Sequence, residues 1–157
     1  MTMGSPGADL FGPETGRLHV LDREERARVL REIGDVMGRF PVVSLGYVFR
    51  SFLRGPFHDL DCAVLLSGSH SPYEAMKIAR RIEGEIERAI GYLCVVECRV
   101  LNDAPVSFAY EVIRAGRAVY VREPAVRIRY EAGLISAWQD YRETLVWFNR
   151  RYLGGSP

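Results

Sequence analysis

A chain of 157 residues, 48% hydrophobic and 26% charged, with a formal net charge of +1, holds enough apolar material for one compact domain and leaves little room for a second. The composition excludes a disordered or collagen-like chain, and the near-neutral charge argues against a dedicated nucleic-acid coat. The apolar runs are strand-length and the N-terminus has no basic-then-apolar order, so neither a membrane span nor a secretory signal is expected, and the setting reads as cytoplasmic.

Residues 1–17 read as a disordered leader, because Gly4, Pro6, Gly7, Gly12, Pro13 and Gly16 interrupt any periodicity. Asp22 and Glu25 form a capping-box pattern, and Val29, Ile33, Val36 and Met37 recur at helical spacing up to Gly38. Pro41 ends that helix. Val42 to Phe49 and Leu60 to Leu66 are β-rich and nearly continuous in apolar character, as buried strands are. Ser71, Pro72 and Glu74 supply an N-cap, an N1 proline and a capping-box glutamate to a helix running to about Ile90, stopped by Gly91. A third strand is predicted over Leu93 to Leu101, a short helix over Ser107 to Ala115, a fourth strand over Ala118 to Arg122 and a long final helix from Pro124. This order predicts an α/β (α+β) domain, a small mixed sheet with helices mainly on one face. The expected division is a leader over 1–17, a domain over 18–123 and a C-terminal helix over 124–153 packed on the domain or on a partner.

Asp59 and Asp61 flank one leucine at the start of the second strand. Period-2 geometry puts both carboxylates on one face, with Leu60, Cys62 and Val64 on the other. Two adjacent like charges need a cation, a basic partner or full solvation. Magnesium suits such a pair, since it prefers hard oxygen ligands and shares its sites with water and phosphate. On the third strand Glu97 interrupts an apolar run, and with Arg99 it faces away from Cys94, Cys98 and Val100. If the strands are neighbours, the three acids converge. Either element alone reads more readily as a solvated turn or a surface ion pair; together, and preceded by Ser-Phe-Leu-Arg-Gly, they are more specific.

Phe49-Arg-Ser-Phe-Leu-Arg-Gly55 followed by Asp59-Leu-Asp61 resembles the phosphate loop and metal motif of the minimal nucleotidyltransferases in the DNA polymerase β-like superfamily. There the pattern is Phe-Gly-Ser-x-x-Arg-Gly, then Asp-x-Asp, then a third acid on a later strand, which Glu97 would supply. The resemblance runs through Ala104-Pro105, the Tyr110-Glu-Val-Ile helix with Gly116 and Val119-Tyr-Val-Arg122, covering most of residues 40–122. It implies a polymerase β-like fold with an open active face, and transfer of a nucleoside monophosphate from a nucleoside triphosphate to an acceptor hydroxyl. Asp59, Asp61 and Glu97 would hold magnesium and do the catalysis, while Arg50, Ser51, Arg54 and Gly55 would hold the phosphates. Stand-alone members of the family are often antitoxins paired with a small helical protein of the HEPN type. Two departures stand out: Arg50 replaces the motif glycine, and Glu97 replaces the usual aspartate. A second register would align Gly46-Tyr47 with the Gly-Ser pair and lose the serine. The retained acids favour an enzyme. Arg50 favours the alternative, a non-catalytic, antitoxin-like binding protein that keeps the fold.

His58 reads as an exposed turn residue beside Asp59, and His19 and His70 as ordinary loop residues. Cys62, Cys94 and Cys98 read as reduced, buried thiols; strand parity turns Cys62 away from the acidic face, so a zinc site with His58 is not expected. In the last helix Leu134, Trp138, Tyr141, Leu145, Phe148 and Tyr152 alternate spacings of four and three. That stripe would dock on the chain's own sheet, on a partner or on a second copy in a homodimer.

Overall fold

The computed structural model describes residues 17–154. Apart from Arg17, the expected leader lies outside the described residues. The elements follow in chain order: α1 (Arg23–Gly38), β1 (Val43–Phe49), a 3-10 turn (Arg50–Leu53), β2 (Asp59–Leu66), α2 (Pro72–Ala89), β3 (Val95–Val100), α3 (Val106–Ala115), β4 (Arg117–Val121) and α4 (Pro124–Tyr152). Both capping boxes form. Asp22 accepts from the Glu25 amide and Glu25 returns the bond; Ser71 and Glu74 do the same at α2.

The four strands make one mixed sheet in the order β3-β2-β1-β4. β1 runs antiparallel to both β2 and β4, while β2 and β3 are parallel and joined across α2. α1 and α2 cover one face, where Ile33, Val36, Met37, Ile82 and Ile86 pack on Val48, Leu60, Cys62, Val64, Val96 and Cys98. α3 and the start of α4 cover part of the other, where Leu45, Tyr47, Phe49 and Ala63 meet Ala109, Val112, Tyr130 and Leu134. All three cysteines are buried and free. α1 approaches β4 closely at Gly34, where a Cβ would lie 2.4 Å from the Val119 carbonyl oxygen.

β3 is an edge strand, and α2 takes the outward N–H groups of Val96 and Cys98. Glu83 Oε1 accepts from the Cys98 amide at 2.9 Å, and Glu87 accepts from Val96. Burial, then the neighbouring Glu83, pushes the Glu87 carboxyl up. At the end of β2, Asn102 bonds the Leu66 amide and carbonyl at 2.9 and 2.8 Å, fixing the chain after β3. The third strand is shorter than the sequence predicts, because Gly91 and Tyr92 both turn through positive φ, 67° and 56°, before pairing begins.

The stripe on α4 divides in two. Its first half packs on α3 through Leu134 and a stacked Trp138–Tyr110 pair with centroids 4.7 Å apart. From residue 139 onward every residue of the helix is exposed, Trp147 at 58% and Phe148 at 46%.

Candidate functional site

The uncovered part of the second face lies over β2 and β3. Asp59 and Asp61 occupy alternate positions of β2, and the parallel register sets Asp59 opposite Val95 and Asp61 opposite Glu97. Leu60 and Cys62 point into the helix-covered core. The structure therefore brings Asp59, Asp61 and Glu97 to one face, with Asp59 and Glu97 exposed and the Asp61 side chain only 13% exposed. Arg99, opposite Ala63, adds a cation on that face, its guanidinium over the Phe108 ring at 5.7 Å.

Asp61 is the electrostatic centre of the group. Burial pushes its carboxyl above the ordinary value, and Glu97 and Asp59 push the same way. The Arg50 guanidinium opposes them from 3.7 Å. The turn between β1 and β2 explains how Arg50 arrives there. It is the first residue after β1, and its φ is 67°, the left-handed conformation that glycine adopts freely and that costs an L-residue about 1–2 kcal/mol. Its side chain folds over Phe49 at 5.2 Å, and Phe49 is itself opposite Asp61. The conformation agrees with aligning Arg50, rather than Gly46, with the motif glycine. Gly46 lies in mid-strand opposite Val64, where a Cβ would meet Met37 Sδ at 2.1 Å.

Ser51 and Arg54 are exposed on the same turn, and the Ser51 carbonyl accepts from the Arg54 and Gly55 amides at 3.0 and 3.2 Å. A Cβ at Gly55 would meet no other atom within 4 Å, so the space before it is open. His58 is exposed beside Asp59. His19, read as a plain loop residue, pairs with Phe57 as a β-bridge and lies against its ring at 5.4 Å.

Arg26 is the residue that sequence reasoning missed. Its guanidinium donates to the carbonyls of Phe52 and Gly55, the latter at 3.3 Å, and lies over the Phe52 ring at 5.2 Å. One helical side chain thus ties down the turn that presents Arg50, Ser51 and Arg54. The available signal was a charged residue at an apolar position, four before Leu30 and seven before Ile33. A second such group is Tyr47, whose hydroxyl donates to Glu131 at 2.9 Å while Arg127 holds the same carboxylate at 3.1 Å. Burial and that bond push the Tyr47 hydroxyl far above the usual phenol range. The contact anchors the first half of α4 beside the acidic face.

Among the described residues no three His, Cys, Asp or Glu side chains close into a group that could enclose a metal ion. The donor set instead fits an open magnesium site of two hard carboxylates, completed by water and phosphate. The crowding of negative charge at Asp61 is what such a cation would relieve.

No protein-family model matches the sequence, and no curated protein matches it significantly. The fold, however, is shared with solved structures. One is a rebuilt and re-refined structure of tri-AMPylated Shewanella oneidensis HEPN toxin in complex with MNT antitoxin: 15% identity, TM-score 0.57, over 85% of this chain and 99% of that one. Another is a toxin-antitoxin structure with AMP-PNP, at 16% identity and TM-score 0.57 over 85% and 99% of the two chains. A third is the toxin-antitoxin MntA-HepT, at 15% identity and TM-score 0.56 over 84% and 99%. The chain shares its mixed four-stranded sheet and surrounding helices with these structures. The match runs over nearly the whole length of those chains. No helix among the described residues is long and apolar enough to cross a membrane.

Proposed function

We propose that the chain is a magnesium-dependent nucleotidyltransferase of the antitoxin type, moving a nucleoside monophosphate from a nucleoside triphosphate to a hydroxyl on a helical, HEPN-type protein partner. The observation that carries this reading is the meeting of Asp59, Asp61 and Glu97 on the open face, beside an arginine-bearing turn, in a fold shared with an AMP-PNP complex. Asp59 and Asp61 would hold the magnesium, which when bound neutralises the triphosphate and strengthens the leaving group. Ser51 and Arg54 bind the terminal phosphates as hydrogen-bond donor and counter-charge. Glu97 accepts the proton of the acceptor hydroxyl; its oxygen then bonds to the α-phosphorus in line as the bond to pyrophosphate breaks. Arg26 keeps the turn in place. The exposed half of α4 offers the partner an aromatic surface away from the chemistry. The setting is the cytoplasm, in keeping with three unpaired, buried thiols.

One observation favours a second reading, a binding protein without turnover. Arg50 already pairs with Asp61, at 3.7 Å. The test is transfer of label from the α-phosphate of adenosine triphosphate to a purified HEPN-type helical protein, with Asp61→Asn alongside. Transfer that needs magnesium and is lost in the variant supports the enzyme; stable complex formation with no transfer supports the binding protein.

A further inference from the structure

Arg50 has two properties that the motif glycine cannot have. It holds a left-handed backbone conformation, φ 67°, and it delivers a guanidinium 3.7 Å from Asp61 Oδ1. The partners differ in freedom: the Arg50 side chain is 55% exposed and the Asp61 side chain 13%. Arg50 is therefore the movable member and Asp61 the fixed one. Asp61 faces Glu97 across the parallel pair and has Asp59 two residues away, so a cation is called for there, and Arg50 is the cation that the structure pairs with it. A guanidinium matches carboxylate and phosphate geometry equally well, and Arg50 begins the turn whose Ser51 and Arg54 stand exposed beside it.

We infer that Arg50 is an exchangeable counter-ion. It pairs with Asp61 in the nucleotide-free protein, keeps divalent cations off the carboxylates, and passes its guanidinium to the triphosphate when nucleotide binds. The inference rests on reading this face as a nucleotide site. Its consequence is order: the carboxylates open to a divalent cation when the triphosphate draws Arg50 away, so cation and nucleotide each strengthen the other's binding.

The test measures Mn2+ binding, by paramagnetic resonance, to the natural chain and to Arg50→Gly, Arg50→Asn and Arg50→Lys, with and without saturating AMP-PNP. Glycine and asparagine both accept the left-handed conformation, so these variants keep the turn; melting curves check it. Without nucleotide, Arg50→Gly and Arg50→Asn should bind Mn2+ about tenfold more tightly than the natural chain, while Arg50→Lys, which keeps the charge, stays near it. With AMP-PNP the difference should shrink to less than about threefold, because the arginine has changed partner. Equal Mn2+ affinity of the natural chain and Arg50→Gly without nucleotide overturns the counter-ion role. A difference that persists undiminished with AMP-PNP overturns the exchange. Failure of every form to take up Mn2+ even with AMP-PNP overturns the nucleotide-site reading itself, and the inference with it.

Discussion

Replacing Asp61 by asparagine separates a functional acid from a structural ion pair, because the two roles predict opposite changes in stability. At neutral pH the Asp61 carboxylate is mostly removed from water and stands opposite Glu97. A like-charged cross-strand pair costs roughly 0.2–1 kcal/mol. The compensating pair with a half-exposed arginine contributes about 0–1 kcal/mol. Asparagine keeps the shape, removes the charge and avoids the desolvation, so the variant should gain about 1 kcal/mol, or about 2–4 °C in melting temperature for a chain of this size. The pH dependence has a definite sign. The native carboxyl titrates above its ordinary value of 3.8, so just above 3.8 the folded chain keeps a proton that the unfolded chain has released. Stability therefore falls as pH rises through that window, and the contribution is gone above the native value; the asparagine variant lacks this slope. Nucleotide affinity should meanwhile fall by about tenfold or more, the worth of one charge-assisted contact. The assay is thermal melting from pH 4 to 8 together with calorimetric titration of AMP-PNP in magnesium. A variant that melts lower at pH 7 and binds nucleotide unchanged would refute the reasoning and make Asp61–Arg50 a structural pair.

Arg26→Met keeps much of the side-chain bulk but loses the bonds to the Phe52 and Gly55 carbonyls; about 1.5–3 kcal/mol of stability should go, with weaker AMP-PNP binding, and equal melting and affinity would remove the positioning role. Gly34→Ala forces a Cβ against the Val119 carbonyl, so α1 and β4 must separate at a cost of about 1–3 kcal/mol; denaturant titration reads it, and no change would mean the two elements are not held this closely. Leu145→Lys with Phe148→Glu should leave the monomer's stability within about 0.5 kcal/mol, since neither side chain is buried, while abolishing complex formation with the helical partner; a complex of unchanged affinity in a pull-down with both purified proteins would place the partner elsewhere.

Much of the fold lies in local patterns. The Asp22/Glu25 and Ser71/Glu74 pairs declare where two helices start, because a capping box is made within four residues and needs nothing else. Alternation along β2 settles that Asp59 and Asp61 share a face, since successive side chains on a strand point to opposite sides whatever the strand pairs with. Which residue stands opposite is another matter. That Asp61 meets Glu97 depends on the register of β3 across the α2 crossover, and that register is held by Glu83 and Glu87 on the strand edge, contacts between residues distant in sequence. Likewise the sequence marks Arg50 as a departure from glycine, but only the path of the turn decides that it adopts φ 67° and reaches Asp61. Arg26 stands out in the sequence only as a charge at an apolar helix position; what it clamps is decided when the loop folds against α1. The apolar stripe of α4 is legible from end to end, yet a stripe states only that a helix has something to bury. Only the packed structure decides that Trp138 finds Tyr110 on α3 and that every described residue of the helix from 139 onward stays exposed.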